Sequence, residues 1–157
     1  MPKIDLASVP ILSKINYPEP YKSVVRGRSM QAVGDAGGLT QFGVNLVRLK
    51  PSAGSSQRHW HQNEDEFLVM IEGSLTLVED DSETELHPGD MASFKAGVPN
   101  AHYLVNRTGK DGVFLVVGTR APAERAVYAD IDLVYVRDEK GWRYELKSGE
   151  PCPLPYP

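Results

Sequence analysis

The chain has 157 residues, 41% of them apolar and 24% charged, with a formal net charge of −4. That composition supplies a core and argues against disorder, and scattered Lys and Arg without a basic patch argue against a nucleic-acid partner. No apolar run reaches the roughly eighteen residues a membrane-crossing helix needs.

Residues 1–20 lack the continuous apolar segment and small-residue cleavage site of a signal peptide. The one cysteine, Cys152, has no partner within the chain, so a reducing compartment, most simply the cytoplasm, is expected. Residues 1–20 and 148–157 are rich in proline and unsuited to a sheet interior. They are expected to lie as extended arms across the sheets or across a second subunit, since Tyr17, Tyr21, Trp142 and Tyr156 need cover for their rings; a frayed tail is the alternative.

Between the arms, proline and glycine punctuate short apolar or alternating runs at intervals of roughly eight to twelve residues, the rhythm of an all-β sandwich or barrel. In chain order the expected strands are Tyr21–Val33, Leu39–Leu49, Gln57–Gln62, Glu66–Glu72, Ser74–Glu79, Met91–Phe94, His102–Asn106, Val113–Gly118, Ile131–Arg137 and Trp142–Leu146. Turn chemistry at Gly34-Asp35, Pro51 to Gly54, Gly73, Pro88-Gly89-Asp90, Thr108-Gly109 and Glu139-Lys140-Gly141 fits between them. Ala121–Ala126 is the one helical candidate, with Pro122 in its first turn. No repeat is present, and one domain over 1–157 is the simplest reading.

His59-Trp60-His61 places two imidazoles two residues apart. On a strand both point to one face; on a helix they would diverge by about 200°. Glu66 opens the run Phe67-Leu-Val-Met-Ile71, where a lone carboxylate is costly to bury and a cation removes that cost. His102, on a later strand, shares a face with Leu104 and Asn106, and strands distant in sequence meet across a barrel lumen. The four side chains His59, His61, Glu66 and His102 are therefore expected to hold one divalent transition metal ion, with zinc, manganese, iron or nickel all suited to imidazole and carboxylate. His87, before Pro88-Gly89-Asp90, is expected to be an exposed turn residue, and Trp60 to point away from the metal.

These residues resemble the two motifs of the cupin superfamily. The first runs Gly-x5-His-x-His-x3–4-Glu-x6-Gly, and His59, His61, Glu66 and Gly73 fit it, with Ala53 at the expected first glycine and Gly54 following. The second runs Gly-x5-Pro-x-Gly-x2-His-x3-Asn. Gly89, Gly97, His102 and Asn106 match in order, with Lys95 in place of the proline and a longer turn around Pro99 before His102. The resemblance covers residues 51–106 best. It implies a cupin-type jelly-roll β-barrel (a double-stranded β-helix), usually dimeric, with the metal inside its mouth. The segments Arg58–His61, Glu64–Phe67 and His102–Arg107 further resemble small stand-alone bacterial cupins described as sugar-phosphate isomerases.

Three uses of such a site follow. An isomerase would need a base, for which Tyr103 and Glu64 are candidates, and cations for phosphate, for which Lys95, Arg48 and Arg107 are candidates. Lys95, if it faces the lumen, is also a candidate catalytic residue through a Schiff base. A metal-dependent oxygenase is permitted by the ligand set, and so is a barrel that binds or senses a small molecule without turnover. In each case the partner is a small molecule. An apolar face containing Phe67, Val69 and Ile71 points to a homodimer.

Overall fold

The computed structural model describes residues 3–156. Twelve strands carry the described chain: β1 (Arg28–Gln31), β2 (Phe42–Leu49), β3 (His59–His61), β4 (Glu66–Glu72), β5 (Leu75–Val78), β6 (Glu83–Leu86), β7 (Met91–Phe94), β8 (Tyr103–Val105), β9 (Gly112–Thr119), β10 (Glu124–Tyr128), β11 (Val134–Asp138) and β12 (Gly141–Glu145). One layer is a five-stranded antiparallel sheet in the order β1-β2-β9-β4-β7. The opposite side is built from β12-β11-β10-β3 and β6-β5-β8. Bridges between His59 and His102 and between Gly54 and Val105 join these two sheets. The result is a jelly roll in which the layers face each other without closing into one continuous ring of hydrogen bonds.

Strand β4 shows how alternation builds it. Leu68 and Met70 are 2% and 1% exposed, whereas Phe67 and Ile71 are 41% and 50% exposed. Successive residues point to opposite faces, so Glu66 lies on the same inward face as Leu68 and Met70. Those two pack with Val47 and Leu49 of β2, Leu75 and Leu77 of β5, Leu104 of β8 and Phe114 of β9. Each such side chain, fully buried, contributes roughly 1.5–3 kcal/mol. At Gly73 the chain turns from β4 towards β5 with φ of +72°, and a Cβ there would lie 2.5 Å from the carbonyl oxygen of Asp111. Only glycine meets both conditions.

A second cluster holds the arms. Tyr17, Val25, Tyr128, Leu133 and Tyr144 are buried together, with Tyr21, Cys152 and Tyr156 against them. Leu12 bridges Met30, and Pro151 bridges Glu145. Among the described residues, both arms therefore lie along the sheets of their own chain, through Leu12 and Tyr17 at one end and Pro151, Cys152 and Tyr156 at the other.

Four sequence expectations need correction. Tyr21–Val33 is not one strand: a 3-10 turn spans Tyr21–Val25, and β1 begins only after Gly27, whose φ of +90° breaks extension. Ala121–Ala126 is not helical; β10 starts at Glu124 and pairs with β3 and β11 on both sides, so tertiary pairing overrides a weak local propensity. Its inward face is Glu124, Ala126 and Tyr128, a period-two pattern. Strand β6 was not expected because three of its four residues are exposed and only Leu86 is buried. Finally, Val33–Ala36, expected as a turn, forms one helical turn.

Candidate metal centre

The register of β3 against β10 sets His59 opposite Tyr128 and His61 opposite Ala126. Both imidazoles emerge on the inner face, where Glu66 of β4 meets them across the lumen. His59 Nε2 lies 3.0 Å from His61 Nε2, and His61 Nε2 lies 3.1 Å from Glu66 Oε2. Ligands held ~2.1 Å from one ion at right angles stand ~3.0 Å apart. These three side chains thus already present the edge lengths of a metal polyhedron, and they form one compact metal-capable group.

Each histidine is held from behind. His59 Nδ1 lies 2.9 Å from the Gln57 carbonyl, which only accepts, so Nδ1 carries the proton and the Nε2 lone pair faces the lumen. His61 Nδ1 lies 3.3 Å from Glu124 Oε1. The Glu124 carboxylate, 1% exposed, is fixed in turn by the backbone N–H groups of Gln62 at 3.1 Å and Asn63 at 3.0 Å. This carboxylate–histidine pair is the usual support of a ligating imidazole.

His102 stands just before β8, and its bridge to His59 brings it beside β3. It is 3% exposed, with Leu104 at 2% and Asn106 at 0% on the same inward face. Phe94 stacks on its ring with centroids 3.4 Å apart. Its Nε2 is 3.8 Å from Glu66 Oε2, beyond hydrogen-bond length, and both ring nitrogens lack a protein partner. A buried imidazole without partners is costly; an ion between His102 and Glu66 would supply one. The donor set therefore fits a divalent metal, with His59, His61 and Glu66 in place and His102 at the margin.

Electrostatics agree. Burial, and then the neighbouring His61 and His102, push His59 down to about 3, so it is neutral. Burial would lower His61 as well, but its hydrogen bonds to Glu124 and Glu66 outweigh this and raise it to about 9. Burial opposes ionisation of Glu66, yet His102 and His61 hold its carboxyl well below the usual carboxylate range. The metal-free site thus carries a proton on His61 where a cation would sit.

The centre opens into a cavity of about 410 Å³. Glu64, a candidate base, lines it. Tyr103 borders it, but it pairs with Val78 and so projects from the face opposite inward-facing Leu104, towards Arg107. Lys95 is exposed at the end of β7 and lines a smaller pocket behind Trp60. Glu64 is engaged by Arg137 Nη2 at 2.5 Å and by the N–H of Ala121 at 2.9 Å. A second acidic group, His61 with Glu64 and Glu124, is also compact, but these bonds already occupy both of its carboxylates. Arg48 and Arg107, expected as phosphate contacts, lie outside: Arg107 pairs with Glu83 at 2.6 Å and Arg48 with Asp111 at 3.5 Å. His87 is exposed in its turn. Asn106, matched to the second motif, donates to the Leu49 and Lys110 carbonyls at 2.8 and 2.7 Å, and so pins the link between β8 and β9.

Sequence reasoning missed Glu124, Arg28, Arg137 and Tyr17. Glu124 had a legible sign, the Glu-x-Ala-x-Tyr128 alternation, hidden by the helical reading. Tyr17 lies in the arm; its hydroxyl accepts from Gln57 N at 3.3 Å and so braces the residue that orients His59.

A two-layer jelly roll with an inward His/Glu cluster at its mouth defines a small metal-capable β protein. The family model for the cupin domain matches residues 45–118. A sugar phosphate isomerase of the cupin superfamily from Silicibacter pomeroyi DSS-3 is 49% identical, with a TM-score of 0.91 over 96% of each chain. This chain belongs to the cupin superfamily. A protein of Acidithiobacillus ferrooxidans ATCC 23270, provisionally named a sugar phosphate isomerase, is 26% identical, with a TM-score of 0.73 over 80% of each chain. The polyketide cyclase RemF of Streptomyces resistomycificus, 21% identical with a TM-score of 0.66 over 84% of this chain and 89% of its own, shares the fold alone. No curated protein matches the chain in sequence.

Proposed function

We propose that this cupin is a metal-dependent isomerase acting on a small sugar phosphate, with one divalent transition metal ion per chain held by His59, His61, Glu66 and His102. The observation that carries the reading is the pair of 3.0 and 3.1 Å ligand–ligand edges opening on a cavity large enough for a small molecule. The 49% identity to a protein described as a sugar phosphate isomerase supports the substrate class. A bound ion would polarise a carbonyl or hydroxyl oxygen of the substrate. Glu64 is the cavity group proposed to take a proton from the hydroxyl-bearing carbon beside that carbonyl and return it to the former carbonyl carbon, while the proton of that hydroxyl passes to the carbonyl oxygen through an ene-diol. Gln57 and Glu124 hold the imidazoles in register.

One observation favours a second reading, a binding cupin without turnover: the Glu64 carboxylate is already engaged by Arg137 and Ala121. Elemental analysis should find close to one transition metal ion per chain, lost in His61→Ala. A panel of aldose and ketose phosphates then separates the readings. Turnover that depends on the metal supports the isomerase; metal-bound protein inert on the whole panel leaves the binding reading; oxygen uptake would assign an oxygenase instead.

A further inference from the structure

The cavity beside the candidate metal centre holds three guanidinium groups, of Arg28, Arg120 and Arg137. Two are neutralised in place. Arg137 pairs with Glu64, and Arg120 pairs with Asp35. Arg28 differs: among the described residues it has no carboxylate partner, and its one side-chain hydrogen bond is from Nη1 to the Ser55 carbonyl at 2.7 Å.

Position explains why its head group faces inwards. Arg28 pairs with Leu49 across β1 and β2, and Met30 pairs with Val47. Leu49 and Val47 are 0% and 5% exposed, and Met30 packs on the core. Cross-strand partners share a face, so Arg28 and Met30 both project into the lumen. Arg28 lines the main cavity and also a smaller neighbouring one of about 240 Å³, each shared with Tyr17, His59 and His61.

Charge completes the argument. The two charges of a divalent ion would be matched by Glu66 and Glu124, leaving Arg28, among the described residues, as the cavity guanidinium without a carboxylate partner. A partly buried guanidinium is stabilised by an opposite charge, and its planar fork binds two oxygens of a phosphate or carboxylate together. We infer that Arg28 is the oxyanion receptor of this cavity and takes the phosphate of the substrate while the metal centre holds its reacting end. This rests on the isomerase reading for the identity of the anion. The ion pairs of Arg120 and Arg137 make them walls of the site rather than receptors.

The test titrates inorganic phosphate by calorimetry into the full chain loaded with one manganese ion per chain, with metal content measured in every variant. Arg28→Gln should weaken phosphate binding on the order of 10-fold to 100-fold while keeping its manganese. Arg28→Lys, which retains the charge and loses the fork, should fall between the two. Arg107→Gln, on the outer surface, should match the parent. Phosphate affinity unchanged in Arg28→Gln would place the anion on the metal alone and overturn the inference. So would loss of manganese from Arg28→Gln, which would make the residue structural, or failure of the parent to bind phosphate. The two readings separate cleanly. Parent protein that binds phosphate through Arg28 but turns over no sugar phosphate leaves the receptor and removes the isomerase. Turnover with unchanged KM in Arg28→Gln removes the receptor and leaves the isomerase.

Discussion

Loading the site at pH 8 should release close to one proton per metal ion. In the metal-free chain His61 is raised to about 9 by Glu124 and Glu66 against the opposing effect of burial, so about 0.9 of the molecules carry its proton at pH 8. A ligating Nε2 cannot keep that proton. His59, lowered to about 3, has none to release at this pH, and Glu66 is held below the usual carboxylate range. At pH 9.5 the release should fall to about 0.2, because His61 is then mostly deprotonated beforehand. Below pH 9 the apparent affinity should rise about tenfold per pH unit from His61. Calorimetric titration in buffers of differing ionisation enthalpy counts the proton directly. Imidazoles at the ordinary value of about 6.5 would release almost none at pH 8. A count near zero at that pH would therefore refute the arrangement of His61 between two carboxylates. In Glu124→Gln one of those carboxylates is gone, and the count at pH 8 should fall.

The same pair of histidines sets the pH dependence of metal-free stability. His59 is lowered, so its contribution is present above about 6.5 and lost as pH falls towards 3; His61 is raised, so its contribution is present below about 6.5 and lost as pH rises through 9. Thermal unfolding without metal should show the His59 loss on the acid side and the His61 loss on the alkaline side. Saturating metal should flatten the alkaline loss, since coordinated His61 has no ligating proton left to lose, and steepen the acid loss, since unfolding then protonates His61 as well. Glu124→Gln leaves one of the donors Gln62 N, Asn63 N and His61 Nδ1 facing an amide NH2. It should cost about 1–3 kcal/mol in denaturant unfolding and weaken metal binding on the order of 10-fold to 100-fold at pH 9.5. Tyr17→Ala removes a ring buried against Tyr128 and Tyr144. It should destabilise the chain by about 3–5 kcal/mol, whereas a frayed arm would leave the unfolding midpoint unchanged. The outer face of the five-stranded sheet exposes Phe42, Phe67, Ile71 and Met91 at 38%, 41%, 50% and 64%. Sedimentation should give twice the 17.3 kDa chain mass, reduced to one chain by Phe67→Glu; a monomeric parent removes the homodimer.

What the sequence disclosed followed the strength of its periodicity. Strands β4 and β7 match their expected bounds because alternation, flanking glycine and an apolar face agree there. His59, His61 and Glu66 were legible for the same reason: a His-x-His strand and a carboxylate at the head of an apolar run each conflict with burial unless something pairs with them. Strand β6 was illegible because Glu83, Thr84 and Glu85 are all exposed and offer no pattern. Glu124 and Arg28 were illegible for a different reason. Each is a charged residue on a short strand, and local sequence does not say whether such a residue faces water or the lumen. Only pairing decides it: β10 against β3, and β1 against β2.

That dependence on pairing also explains where the centre sits. His59 and His102 belong to sheets that meet through isolated bridges rather than a long ladder, with His59 N to His102 O at 3.1 Å and the reverse bond at 2.8 Å. Glu66 comes from the facing layer, one step from where β4 enters the apolar core. The centre therefore lies at a seam, where backbone hydrogen bonding between sheets is least continuous and where imidazole, carboxylate and cavity converge. An ion there would link the layers in the place where the ladders do not. Metal should accordingly raise the unfolding temperature of the parent chain, by an amount that grows with free metal concentration as binding to the folded state alone requires. His61→Ala should abolish that rise. An equal rise in His61→Ala would show the metal acting elsewhere.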